Sequence, residues 1–157
     1  MNTPQAGTKT ALRHRPVRGN KAITVLVIED EADIRNFISR VLELEDYDVI
    51  EAGDGDSGMR MMKENAVDLV LLDLRLPGLD GWSVLREIKH SPDFSSIPVI
   101  VFTAIAEAMQ RRKTLRMGAS SYLIKPLSAR LLSQTIANIL REKENRRDAP
   151  AKTAPES

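Results

Sequence analysis

The sequence contains no cysteine, and this excludes both a disulfide framework and any chemistry that depends on a thiolate. It also has no apolar run near the roughly 18 residues that are needed to span a bilayer, so we expect no membrane span. No apolar block follows Met1, which argues against a secretory signal. These absences predict a soluble, cytoplasmic protein, and an apolar fraction of 42% is sufficient for a folded core.

Charge is distributed unevenly along the chain. The first 22 residues contain five basic residues and no acidic residue. Since the whole chain carries a net charge of +1, the remainder carries −4. A domain that binds nucleic acid is expected to have a basic folded surface, so we predict no nucleic-acid binding by the folded domain. Residues 1–21 lack hydrophobic periodicity and residues 143–157 mix charge with proline, so both are predicted to be flexible tails around one domain at residues 22–142.

Between the predicted tails, short apolar runs alternate with amphipathic segments. The apolar runs that predict strands are Ile23–Ile28, Tyr47–Ile50, Leu69–Leu72, Ile97–Phe102 and Tyr122–Ile124. Helical periodicity is clearest after the first run, where the apolar stripe is Ile34, Phe37, Ile38, Val41 and Leu42. Five β-α units in strict alternation predict an α/β fold with a doubly wound parallel sheet, because parallel strands need helical crossovers.

Polar residues stand where the predicted strands end. Glu29 and Asp30 follow the first strand, Asp73 the third, Thr103 the fourth and Lys125 the fifth. Doubly wound sheets bind their ligands at this edge. Clustered carboxylates without histidine or thiolate suit Mg²⁺, which could neutralise one phosphoryl oxygen while a hydroxyl and an ammonium group meet the others. The sequence therefore predicts Mg²⁺-dependent phosphorylation of a carboxylate, and Asp73 is the candidate acceptor.

Four motifs resemble the receiver domain of bacterial two-component response regulators. They are Val25–Glu31 (VLVIEDE), Leu71–Gly81 (LLDLRLPGLDG), Phe102–Ala104 (FTA) and Tyr122–Pro126 (YLIKP). The resemblance covers about residues 22–142 and implies a single-domain regulator similar to those of chemotaxis. It implies a flavodoxin-like (β/α)5 fold with strand order 2-1-3-4-5, and a sensor histidine kinase as the phosphodonor.

The resemblance also implies a metal site. Asp73 matches the phosphoacceptor, Asp30 a direct Mg²⁺ ligand, and Glu29 an acid that acts through water. The backbone carbonyl of Arg75 would complete the protein's share of the coordination. Two positions depart from the common pattern: many members have aspartate where Glu29 stands, and the long cationic side chain of Arg75 could shield the aspartyl phosphate or contact it.

The remaining matches concern the phosphate and the switch. Lys125 matches the phosphate-binding lysine, and Thr103 and Tyr122 match the pair of switch residues. The resemblance implies that Thr103 moves toward the phosphate and that Tyr122 then turns inward. It also implies a cis peptide bond between Lys125 and Pro126.

Too few residues follow Lys143 for a DNA-binding or enzymatic output domain, so we expect output through protein contact rather than an enzymatic activity. The alternative is a phosphoryl shuttle to a histidine phosphotransfer protein, and a phosphorylation-dependent dimer stays open. Three rivals are weaker. An aspartyl-phosphate phosphohydrolase would carry its nucleophile after the first strand, a pseudo-receiver scaffold would lack a site residue, and a flavodoxin-like cofactor binder would have a Gly/Ser/Thr-rich phosphate loop.

Overall fold

The computed structural model of the chain describes residues 17–18 and 21–150. The five strands of its main sheet are β1 (Thr24–Ile28), β2 (Asp48–Ala52), β3 (Leu69–Leu72), β4 (Val99–Thr103) and β5 (Ser121–Ile124). The helices that alternate with them are α1 (Ala32–Leu44), α2 (Gly55–Glu64), α3 (Gly81–His90), α4 (Ala108–Arg116) and α5 (Ala129–Asp148). The five predicted β-α units are therefore confirmed in their predicted sequence.

The sheet is parallel throughout, and its strand order is β2-β1-β3-β4-β5. This confirms the predicted order. The strand order reverses at β1, which lies between β2 and β3, so the ligand edge is expected at the carboxyl ends of these central strands. The register pairs Ile28 with Leu72 at the ends of β1 and β3, and it pairs Thr103 with Ile124 at the ends of β4 and β5. Glu29 and Asp73, which follow the first pair, therefore lie at the same height along the strands, and Lys125 follows directly after the second pair.

The core consists of two apolar layers, one on each face of the sheet. Alternate residues of β1 point to opposite faces: Leu26 and Ile28 belong to one layer, and Val25 and Val27 belong to the other. All five residues of β1 are buried, as expected for a central parallel strand that helices cover on both faces. Among the described residues, no helix has the length and hydrophobicity needed to cross a membrane.

Local chemistry fixes the ends of several helices. Asp80 is the N-cap of α3, and its carboxylate accepts a hydrogen bond from the backbone N–H of Ser83 at 2.9 Å. Gly118 follows the C-cap of α4 with a φ of +107°, a conformation that glycine adopts without a Cβ clash.

The structure corrects the predicted tails. Helix α5 continues to Asp148, so the flexible tail predicted at 143–157 is wrong for residues 143–148. Arginine, lysine and glutamate in this stretch favour a helix, and Pro150 lies two residues beyond its end. At the other end, Val17–Arg18 pairs antiparallel with Lys21–Ala22, inside the tail predicted at 1–21. The rest of both predicted tails lies outside the described residues.

Candidate functional site

Glu29 and Asp73 are held side by side by extensions of the sheet. The backbone N–H of Asp73 donates to the carbonyl of Ile28 at 3.1 Å, and that of Glu29 donates to the carbonyl of Ala52 at 3.1 Å. Both residues therefore continue the hydrogen-bonding pattern one position past their strands. Glu29 is fully buried and Asp73 is 4% exposed, so the central strands place two acidic residues below the surface at the carboxyl edge.

Lys125 links the two carboxylates. Its ammonium nitrogen lies 2.8 Å from Oε2 of Glu29 and 2.9 Å from Oδ2 of Asp73. The backbone N–H of Lys125 donates to the carbonyl of Thr103 at 2.9 Å, which anchors the residue at the end of β5. The ammonium group also lies 5.3 Å from the ring centroid of the buried Phe102. The peptide bond between Lys125 and Pro126 is cis, as expected.

The electrostatics of this trio follow from its burial. Burial, and to a lesser extent the charge of Asp73, raise the pKa of Glu29 to about 7 in spite of the lowering effect of hydrogen bonds from Lys125 and from the backbone of Glu31. Burial by itself would lower the pKa of Lys125, but hydrogen bonds to Glu29 and Asp73 outweigh it, so that pKa is raised. The ammonium group therefore stays charged, while Glu29 is protonated more easily than an ordinary glutamate.

Three carboxylates at this edge form a group that could hold a metal ion. One carboxylate oxygen each from Glu29, Asp30 and Asp73 can be chosen so that all three lie within 4.8 Å of one another. Asp30 is exposed, so the group is open to solvent on that side. The other oxygen of Asp73, Oδ1, accepts a hydrogen bond from the backbone N–H of Arg75 at 3.2 Å, which brings that backbone to the site. A cluster of hard oxygen donors fits Mg²⁺.

Thr103 and Tyr122, the predicted switch pair, both contact the backbone of Ile105. The hydroxyl oxygen of Thr103 accepts a hydrogen bond from the N–H of Ile105 at 3.4 Å, and the hydroxyl of Tyr122 donates to its carbonyl at 2.7 Å. Thr103 is fully buried, and Tyr122 is only 6% exposed. Burial raises the pKa of Tyr122, and the charges of Glu107 and Asp73 add to the effect. The resemblance placed the inward turn of Tyr122 after phosphorylation; in this structure the side chain already lies inward.

Residues 25–137 match the family described as the response regulator receiver domain. The chain belongs to this family. The match favours the receiver interpretation over the phosphohydrolase and over the flavodoxin-like cofactor binder, and it agrees with the observed fold.

Named relatives of this receiver domain include transcriptional regulators. The phosphate regulon transcriptional regulatory protein PhoB of Escherichia coli is 38% identical over 117 residues, which are 74% of this chain and 51% of PhoB. The probable transcriptional regulator ycf27 of Porphyridium aerugineum is also 38% identical over 117 residues, which are 48% of that protein. The chain thus spans about half the length of these curated relatives.

A solved structure has the same fold. The response regulator receiver domain protein from Clostridium thermocellum superposes with a TM-score of 0.72 at 33% identity. The superposition covers 78% of this chain and 97% of that protein. The fold and the family are therefore supported by both sequence and structure comparisons.

Two residues of the receiver site were not singled out from the sequence. Arg35, in the first turn of α1, donates from Nη1 to the backbone carbonyl of Glu29 at 2.7 Å and so fixes the loop after β1. A cation in the first turn of a helix is unfavourable because it opposes the helix dipole. The unusual position of Arg35 was therefore the one sign in the sequence that this side chain has a specific partner. Gly81 is the second of these residues: a Cβ atom at this position would collide with the carbonyl oxygen of Asp73 and with Cα of Leu74.

Proposed function

We propose that this receiver domain accepts a phosphoryl group on Asp73 from a sensor histidine kinase, in a step that requires Mg²⁺. The observation that carries the proposal is the contact of Lys125 with Asp73 at the carboxyl end of a central strand, beside Glu29 and Asp30. An acceptor carboxylate, a neighbouring ammonium group and further acids for a divalent cation are the parts that phosphoryl transfer needs.

In the proposed step, a carboxylate oxygen of Asp73 attacks the phosphorus atom of a phosphohistidine. The bond from phosphorus to the histidine nitrogen breaks, and the nitrogen keeps the electron pair and takes up a proton. Mg²⁺, held by Asp30, by Asp73 and by the carbonyl of Arg75, with Glu29 acting through water, would neutralise charge on the phosphoryl oxygens when bound. The resulting aspartyl phosphate carries roughly two negative charges where the ionised carboxylate of Asp73 carried one.

Lys125 is expected to exchange partners during this step. In the structure its ammonium group is shared between Glu29 and Asp73. Once Asp73 is esterified, a phosphoryl oxygen replaces the carboxylate as the stronger negative partner for the ammonium group. The hydroxyl of Thr103 would then meet a second phosphoryl oxygen.

The proposed output is a shift in the population of the surface formed by α4, β5 and α5. Thr103 and Tyr122 share Ile105 as a partner, so a movement of Thr103 toward the phosphate would be felt at Tyr122 beneath this surface. The chain would act through protein contact and not as a turnover enzyme, in the cytoplasm, where kinases have ATP. Since relatives are named as transcriptional regulators, a component of transcription control is the first partner to examine.

The acceptor role is tested with radiolabelled acetyl phosphate. Wild-type protein should take up label in the presence of Mg²⁺ and lose this ability in EDTA, and Asp73→Asn should take up none. Asp80→Asn is the matched control, because it makes the same change at an exposed N-cap and should label normally. Label that persists on Asp73→Asn contradicts the assignment, and a wild-type protein without label would favour a phosphate-free scaffold.

A second measurement separates signalling by contact from a phosphoryl shuttle. Labelled wild-type protein is mixed with a purified histidine phosphotransfer protein, and the label on each protein is followed with time. Rapid transfer to the histidine favours the shuttle. Label that stays on this receiver until it hydrolyses favours signalling by contact.

A further inference from the structure

Helix α4 carries a concentrated positive charge. Its basic residues are Arg111, Arg112, Lys113 and Arg116, all of them exposed, and the helix contains no acidic residue. Its N-cap, Glu107, is the nearest acid in the sequence. A charged, exposed helix face is by itself ordinary, so the inference needs a second feature of the same surface.

The second feature is a depression on the surface of α4 that is lined by both charged and apolar residues. Its lining consists of Met109, Arg112, Lys113, Arg116 and Met117, and its volume is about 480 Å³. Met109 is 73% exposed, the highest exposure among the large apolar side chains of the described residues. Methionine adapts its shape to varied apolar partners and is favoured at binding surfaces. The depression therefore offers an apolar contact enclosed by cations.

Helix α4 is held to the domain by one buried polar residue and by apolar packing near its C-terminal end. Thr114 is its one buried residue, and the N-cap makes no side-chain hydrogen bond. The hydroxyl of Thr114 accepts a hydrogen bond from the indole of Trp82 at 3.3 Å, and the ammonium group of Lys113 lies 5.6 Å from the centroid of the same ring. Leu115 and Met117 pack against the core on the inner side of the helix, so its four cationic side chains are left facing solvent.

The charge of the rest of the chain indicates which class of partner could bind α4. The first 22 residues carry +5 and α4 carries +4, so the other residues carry −8 within a total of +1. A long polyanion such as DNA that extends beyond α4 would experience the net negative charge of these other residues and be repelled. A second copy that packs α4 against α4 would bring like charges together. A short acidic protein segment avoids both costs.

We infer that the face of α4 formed by Met109, Arg112, Lys113, Arg116 and Met117 docks a different protein through an acidic segment that carries an apolar side chain. The apolar side chain enters the depression between the methionines, and the acids pair with the surrounding cations. The inference rests on the proposed function for the role of α4 as part of the output surface, and it adds the chemistry of the partner.

The test uses fluorescence anisotropy with the full chain and two labelled peptides. One is a 14-residue peptide with six glutamates around one phenylalanine and one leucine, and the other has alanine at both apolar positions. A duplex DNA of similar charge is titrated in parallel, and sedimentation reports self-association. The variant is Arg112→Glu with Arg116→Glu, and the matched control is Arg40→Glu with Arg86→Glu, exposed arginines of α1 and α3.

The expected result is saturable binding of the first peptide to the wild type. Its dissociation constant should be about tenfold higher or more in the α4 variant, and within about twofold of the wild-type value in the control variant. Met109→Ser should weaken the first peptide several-fold and leave the alanine peptide unchanged. The inference is overturned by no saturable binding, by equal weakening in both arginine variants, by tighter binding of DNA, or by a dimer that the α4 variant abolishes.

The experiments distinguish a failure of the proposed phosphoacceptor role of Asp73 from a failure of the proposed docking surface on α4. Peptide binding is measured first without a phosphodonor, and then with Mg²⁺ and beryllofluoride on wild type and on Asp73→Asn. If acetyl phosphate leaves no label while charge-dependent peptide binding persists, the acceptor role falls and the docking surface stands. If the label is present and binding is absent, the docking surface falls alone.

Discussion

The indole nitrogen of Trp82 lies 3.3 Å from the hydroxyl oxygen of Thr114 and donates a hydrogen bond to it. Trp82 follows Gly81, whose Cα packs against the backbone of Asp73, and Thr114 is the buried residue of α4. One hydrogen bond therefore connects α3, which begins beside the backbone of Asp73, to α4, which carries the cationic face. Trp82 is the single tryptophan of the chain, so its fluorescence reports on this contact.

Replacing Thr114 with valine should lower the free energy of unfolding by about 1 to 2 kcal/mol. Valine keeps the shape but removes the acceptor for Trp82 and the donor to the carbonyl of Gln110, which lies 2.7 Å from the hydroxyl. Urea denaturation measures the change, and the emission maximum of Trp82 should shift. Thr135→Val is the control, since its hydroxyl makes the same bond to Leu131 at an exposed site and should cost less. Equal losses in both variants would contradict the role of the indole.

Gly81→Ala should destabilise the fold by about 3 kcal/mol or more, because the added Cβ collides with backbone atoms of Asp73 and Leu74, which cannot rotate away. Gly78→Ala is the comparison: its φ is +69° with open space around it, so strain alone should cost about 1 kcal/mol. Thermal unfolding checks the difference. A Gly81→Ala protein that is as stable as Gly78→Ala would show that the loop after Asp73 can shift freely.

Lys125→Met should lower stability by about 2 kcal/mol in buffer without Mg²⁺, because it leaves the carboxylates of Glu29 and Asp73 without their cation. Mg²⁺ should then stabilise the variant more than it stabilises the wild type, since it replaces the missing positive charge. Titration of the melting temperature with MgCl₂ measures both effects. Lys63→Met, an exposed change on α2, should alter neither. An identical response to Mg²⁺ in wild type and Lys125→Met would argue against a metal at these carboxylates.

The raised pKa of Glu29 predicts a pH dependence of stability. Burial moves this pKa from its ordinary value of 4.5 to about 7, so the folded protein holds the proton more tightly than the unfolded chain does. The contribution that favours folding is thus complete below pH 4.5 and is lost as the pH rises through about 7. Without Mg²⁺, the wild type should lose stability relative to Glu29→Gln across this window, as followed by urea denaturation. A difference that stays constant with pH would contradict the raised pKa.

The sequence predicted the positions of the site residues better than their contacts. Glu29, Asp73 and Lys125 could be placed together because the carboxyl ends of parallel strands meet at one edge. That Lys125 pairs with Glu29 as well as with Asp73 was not predictable, since it depends on the depth at which the neighbouring helices bury Glu29. The inward position of Tyr122 likewise depends on where the backbone of Ile105 presents its carbonyl.

The boundaries of the domain were predicted less well than its centre. The charged stretch that ends α5 was interpreted as a solvated tail, because charge and nearby proline are typical of both a tail and a helix that leaves the core. Nothing in hydrophobic periodicity distinguishes them, since the last turns of α5 are exposed on most sides. The role of Arg35 was missed for a related reason: its partner is a backbone carbonyl, and sequence patterns do not show the direction of carbonyl groups.

The ion pair between Lys125 and Glu29 closes a loop of 96 residues. Neither partner is in place until the first and the last strand of the sheet have both joined it, and the chain must therefore be synthesised and folded through Lys125 before Asp73 has its cation. A chain that ends before Lys125 would leave Glu29 and Asp73 without this ammonium partner. The charge balance of the site thus depends on both the first and the last strand of the sheet in sequence order.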